Sequence, residues 1–479
     1  MEQLVDPFLL AIFWICVLIP CGIFLRNRFT LFQKYLVPSC LIAGFIGMIL
    51  MNLGLVGVLS TEGWAPLNFS TFASLTAILF TLNFTMIGFN AGKPSQGSGM
   101  NKDMTRGVIW LSLTFVGAYG VLIVVGISVI TVYNLLTNAG LEAATSINLV
   151  QGFTGGPAGA MVMAQIWLDN ASNPDVTQIM DISPDVLVMA VSYGAIGFLV
   201  AAFVGVPLAN SGLKKGLAAH TTSTKLDASF VKGVMPPESE TSMARHTLHP
   251  ANIDTLTFHF ALLGTAMFCT WWLSYTLKLL LPSDLAALGF GLMYMWGMCC
   301  AIVIRKIIVA LSFDYLIDDQ LIHRINGLLV DFLMIAALMA VQWDVLARYI
   351  IPFVITVVVA TAALFFWFWI PSRWLGHSGL ERFLVNFAAC TGTLASSLLL
   401  MRIVDPGGKS LVPAEAGFSQ FAMILPIAPL AFFVFPTLGV RTTLSTVFFI
   451  GLLILLVCGT LLLVLKKTGY WGNAGKSAD

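Results

Sequence analysis

Eleven apolar runs of membrane-spanning length leave a chain few ways to fold. They lie at 8–25, 36–55, 68–90, 107–133 and 183–209, then at 255–281, 285–304, 325–342, 349–370 and 414–436, with a last one at 443–465. A spanning helix needs about 20 mostly apolar residues, and inside lipid every backbone polar group must find its partner within the protein. Charged residues make up 10% of the 479 positions, against about a quarter in a soluble protein. The expected fold class is an all-α polytopic membrane protein. The first run is preceded by Glu2 and Asp6 and followed by Arg26 and Arg28. A cleavable signal carries its positive charge first, so this run reads as a retained helix with its N-terminus outside.

Two stretches interrupt this pattern. Val150–Ala164, VQGFTGGPAGAMVMA, carries Gly152, Gly155, Gly156, Pro157 and Gly159 and makes a poor continuous helix. Asn386–Met401, NFAACTGTLASSLLLM, gathers small and hydroxyl residues around Gly392. Each break falls between the fourth and fifth run of its set of five. A matched pair of interrupted segments points to a transporter's binding site; small residues easing helix packing are the plainer alternative.

The basic residues set the topology. With the N-terminus outside, only Lys278, Arg348 and Arg441 fall outside, and 21 of the 24 Lys and Arg are cytoplasmic, the bias that insertion requires. Five spans end on the opposite side, so the second set of five is inverted relative to the first. The expected organisation has a first inverted repeat at 1–212 with a re-entrant segment at about 144–168. A cytoplasmic linker follows at 213–254, interrupted by Pro236 and Pro237, and a second inverted repeat at 255–436 has its re-entrant segment at about 383–402. An extra transmembrane helix and C-terminal tail occupy 437–479.

Several motifs carry a resemblance: KYLVPSCLIAG (34–44), LNFTMIGFNAG (82–92), VDFLMIAALMAVQWDV (330–345) and ACTGTLASSLLLMRIVDP (389–406). Together they look like the glutamate:sodium symporter family, over most of the chain from the second span to residue 436. The resemblance implies two inverted five-helix repeats with re-entrant hairpins, a homodimer in the bacterial inner membrane, and an elevator-like movement. It also implies sodium-coupled uptake of glutamate, with sodium as coupling ion. The family's first break is usually glycine-rich around a histidine; here Gly156-Pro157-Ala158-Gly159 has none, and the final helix is an addition.

The candidate residues follow from the breaks. Thr154, Gly155, Gly156 and Gly159 can offer backbone groups to an anionic substrate or to sodium, because half-helix N-termini attract anions and unwound carbonyls suit a hard cation. Gln151 is a polar contact or an interhelical hydrogen bond. Thr391, Gly392, Thr393 and Ser396 supply backbone and hydroxyl groups, or their hydroxyls bond back to their own helix. Arg402 can grip a carboxylate in bidentate fashion, or anchor the chain beside Asp405. For sodium the candidates are Asn83, Thr85 and Asp331, the last an acid within an apolar span and so functional by default. A proton-coupled carrier of another organic anion and a channel are the rival readings. The eight cysteines show no metal-ligand spacing; the six histidines show no HExxH or similar pattern, though His246 and His249 stand three apart in the linker, so no enzyme is expected, and a net charge of +1 gives no reason to expect nucleic acid.

Overall fold

The computed structural model describes residues 6–60, 63–91, 102–174, 176–219, 232, 245–249, 251–282, 285–375, 378–392, 394–405 and 409–471. Most of the expected linker, and Thr393, lie outside them. The described residues are mostly helical. In order, α1 is Pro7–Arg28, α2 Thr30–Lys34, α3 Ser39–Asn52, α4 Phe69–Ala91, α5 Lys102–Thr137, α6 Ile147–Ala171, α7 Asp185–Val200 and α8 Val206–Lys214. Then come α9 Thr255–Leu280, α10 Ala287–Gly291, α11 Met293–Ala310, α12 Asp319–Met339, α13 Trp343–Ser372, α14 Gly379–Thr391, α15 Leu394–Val404, α16 Val412–Pro429 and α17 Leu444–Lys467. A small antiparallel hairpin, β1 (Gly57–Ser60) and β2 (Gly63–Pro66), joins α3 to α4.

Among the described residues nine helices are long and apolar enough to cross a membrane, and α3 is a shorter apolar helix. The protein is therefore a multi-pass membrane protein by the length and apolarity of its helices. The outward faces of α1, α9, α13 and α17 expose side chains such as Phe24, Trp272, Ile351 and Phe449, as lipid-facing helices do.

Two apolar cores divide the helices. One joins residues of α5, α6, α7, α13, α14, α15, α16 and α17, for example Trp110, Phe153, Tyr193, Phe353, Phe387 and Leu462. The other joins α1, α3, α4, α9, α11 and α12 through residues such as Leu18, Phe72, Met86, Leu263, Ala301 and Ile335, and it also takes in Ala158, Met161 and Val162 of α6 and Val191 of α7. We call these the hairpin body and the frame. A third, smaller cluster links Leu41 and Leu338 of the frame to Ala195 and Phe198 of α7. Most helices bury their apolar faces within one group, and α6 and α7 supply buried residues to both, forming the seam between them.

The ends of the hairpin body differ in charge. At the end where α5 begins, Arg382 grips Glu415 through Nε and Nη2 at 2.8 and 2.7 Å, Arg373 lies over Trp369 and Lys466 over Trp374. At the other end the Glu142 carboxylate accepts hydrogen bonds from the backbone N–H and hydroxyl of Ser183, and Arg348 pairs with Asp185 at 3.1 Å. Burial pushes the Glu142 carboxyl above its usual range; the Ser183 bonds pull it down, and Asp185 and Asp181 push it further up. A carboxyl raised on folding adds stability that is full below its unfolded value, near 4.5, and lost as pH rises through the folded value. Thermal melts should therefore show wild type losing stability relative to Glu142→Gln as pH climbs above 4.5. Parallel curves for the two proteins would contradict this.

Candidate functional site

Gly156 is the only residue of α6 with non-helical geometry, at φ 70° and ψ −178°. A positive φ is cheap for glycine alone, and Pro157, with no N–H to leave unpaired, starts the second leg as it would start any helix. The leg before the break runs antiparallel to α5: Ser146 lies against Gly126, and Thr154 faces the Tyr119 hydroxyl at hydrogen-bonding range. The leg after it returns to the end it came from. There the Trp167 indole donates to the carbonyl of Phe435 at 2.6 Å and Gln178 to that of Asn170 at 2.8 Å. Ile179 donates to Gly439, close to where Ser183 meets Glu142. The segment is a helical hairpin with Gly156 at its tip.

The second break is also a hairpin. The Ser397 hydroxyl donates to the Val385 carbonyl at 2.8 Å, which holds α15 antiparallel to α14. This hairpin approaches from the basic end. Asn386 donates to the Leu111 carbonyl and the Thr114 hydroxyl of α5, and Cys390 comes within electrostatic range of Tyr119. Both tips therefore reach Tyr119, at the middle of the 36-residue α5. They touch through α7. A Cβ on Gly194 would collide with the backbone of Gly156 and Pro157, and one on Gly197 with the carbonyl of Thr391, while the Phe153 ring lies 3.4 Å from the same point. Two glycines one turn apart give both tips room on one helix face.

The tips also face the frame. Phe80 and Phe84 of α4 and Tyr294 of α11 form a ring triad with centroids 4.6, 5.0 and 5.1 Å apart. The Phe80 ring stands 3.4 Å from where a Cβ of Gly159 would be, and Tyr294 is within electrostatic range of Tyr119. Among the described residues, nothing lies within 4 Å of the Cβ position of Gly155. Among them there is thus open space beside the first tip at Gly155, next to Thr154 and the Tyr119 hydroxyl that it faces. The legs beginning at Pro157 and Leu394 bring helix N-termini there, whose positive ends suit an anion.

The sequence candidates separate into groups. Thr154, Gly155, Gly156, Gly159, Thr391 and Gly392 sit at or beside the tips, with Ser396 packed on Gly392 and Gln151 half-buried one turn back. Thr154 and Thr391 bond back to the carbonyls of Val150 and Phe387, so their hydroxyl protons are committed while their lone pairs remain able to accept or to ligate. Arg402 is exposed near the end of α15, away from the tip. Nor does it pair with Asp405, whose carboxylate instead accepts from the Lys409 and Ser410 amides.

The three sodium candidates are not brought together. Asn83 donates to the Asn326 side chain at 2.8 Å and Thr85 bonds to the Thr81 carbonyl; two positions apart on α4, they point to different faces. Asp331 is exposed on α12 with Cys40 of α3 as its hydrogen-bonding neighbour. The rings of Tyr119, Tyr294, Phe80 and Phe84 were missed in the sequence because aromatic residues in apolar runs look like lipid-facing or core residues. Two tyrosines in mid-span, away from the interfacial belts where such residues collect, were the available signal. Comparison of the chain with family models, curated proteins and solved structures gave no match in any of the three.

Proposed function

We propose that the protein is a secondary active transporter that carries a small carboxylate, glutamate or a close relative, together with sodium. The observation that carries the reading is the meeting of two broken helical hairpins from opposite ends of the bundle at the middle of α5. Substrate and ion sites of secondary transporters lie near the midplane, where half-helix ends converge.

Further features support two inverted five-helix repeats. The fifth helix of each set contains a π turn, Ala201–Gly205 after α7 and Leu430–Val434 after α16. The second helix of each set is preceded by a five-residue helix, α2 and α10. The cross-packing matches as well, since α3 lies on α12 as α11 lies on α4. An elevator-like movement is supported by the division of most helices between two cores that meet along α6 and α7. In that reading the hairpin body shifts along the frame and carries the tips past Phe80, Phe84 and Tyr294. The basic end is cytoplasmic and the N-terminus outside, in a bacterial inner membrane, and a homodimer would form through the frame.

The carboxylate is held by helix N-termini and hydroxyls rather than by Arg402. Labelled glutamate should enter proteoliposomes when an inward sodium gradient is imposed and should not when sodium is equal on both sides; equal uptake in the two states would overturn the coupling. We assign that coupling to Asp331, an acid within an apolar span, as a hard oxygen ligand or through its charge. Asp331→Asn should reach the membrane in normal amount while its uptake falls to the sodium-free level. Full sodium-driven uptake in that variant would remove Asp331 from the mechanism.

A further inference from the structure

Outside the tips, an apolar groove of about 580 Å³ lies on the outer wall of the hairpin body, unused by the proposed transport. It runs between α5, α13 and α17, and Val125, Phe366, Trp367, Ile370, Gly459 and Leu463 are among its walls. Its shape is fixed by packing. The Trp367 indole donates to the Thr114 carbonyl at 2.7 Å and packs edge atoms against Gly117, with Gly459 3.9 Å from the ring at its Cβ position. Leucine at Gly459 would fill the trough. One wall comes from α17, the helix with no counterpart in the first set of five.

The groove ends at Trp374, and the Lys466 ammonium sits 4.5 Å from the centre of that ring. Lys467 follows, and Arg373 precedes Trp374 and lies over Trp369 at 5.2 Å. An apolar trough that runs into clustered cations at one end matches the two parts of an anionic phospholipid. We propose that the groove holds an acyl chain of such a lipid, with its phosphate on Lys466, Lys467 and Arg373. Basic clusters beside transmembrane helices recognise anionic headgroups in this way. A second copy of the chain fits less well. A two-fold axis along the membrane normal would bring Lys466 and Lys467 of both copies to the same end, like charge against like.

Native mass spectrometry of the full-length protein in detergent, titrated with phosphatidylglycerol or phosphatidylcholine, tests this. Wild type should retain one phosphatidylglycerol in preference to phosphatidylcholine. The exposed double change Lys466→Gln with Lys467→Gln should weaken phosphatidylglycerol by roughly 30-fold and leave phosphatidylcholine unchanged. Gly459→Leu, which keeps every cation, should weaken both lipids. Equal retention of the two lipids by wild type would overturn the proposal, as would undiminished phosphatidylglycerol binding in both variants. So would a dimer that Gly459→Leu dissociates while lipid retention stays unchanged.

Discussion

Gly194→Ala should destabilise the protein by at least about 3 kcal/mol, the upper part of the range for an overpacked core, and remove transport with it. The added methyl would lie 2.7 Å from the carbonyl carbon of Gly156 and closer still to the backbone of Pro157. Where the obstacle is a flexible side chain, a neighbour can turn aside. Here both sides are backbone, one already held at a positive φ, so the tip must leave α7. Gly155→Ala is the matched control: it meets nothing within 4 Å among the described residues and should leave stability unchanged or slightly raised. Thermal unfolding in detergent separates the two. Equal melting temperatures would mean that the first tip does not pack on α7 as described.

Breaking the Arg382–Glu415 pair should cost about 3–5 kcal/mol. The two side chains are 11% and 2% exposed and meet through two parallel hydrogen bonds. They tie the first leg of the second hairpin to α16, and Gly107 of α5 leaves room for the carboxylate. Arg382→Met would strand a buried charge, whereas Arg382→Met with Glu415→Met removes both charges and should recover most of the loss. Unfolding measurements on the single and double variants provide the check. A double variant as unstable as the single one would show that the destabilisation comes from lost packing instead of an unpaired carboxylate.

The helices were legible in the sequence because lipid permits few backbone solutions, and runs of apolar residues mark them directly. The breaks were legible for the complementary reason. Gly156 stands where the chain takes a positive φ, and Gly392 where α14 stops. What the sequence did not reveal was which helices share a core. The division into hairpin body and frame depends on side-chain volumes across helices distant in the chain, such as Phe153 with Phe387 or Phe72 with Ala301. Spacing along one helix carries no record of that.

Site residues were legible to the extent that backbone chemistry defines them. Thr154, Gly155, Thr391 and Gly392 stood out because glycine and hydroxyl residues interrupt apolar runs. Tyr119 and Tyr294 did not, since a ring has the same hydropathy whether it faces lipid or a buried space. Arg402 drew attention as a cation after a break, yet α15 carries it away from the tip at about 1.5 Å per residue.

Alternating access at the tips is the central claim, and sided labelling of Gly155→Cys tests it most directly. Among the described residues the position has room for a cysteine and borders open space beside the first tip. In oriented proteoliposomes of a variant otherwise free of cysteine, an impermeant thiol reagent should react with it from either face. Glutamate with sodium should suppress both reactions. Labelling from one face only under every condition, or labelling that glutamate and sodium leave unchanged, would contradict the account.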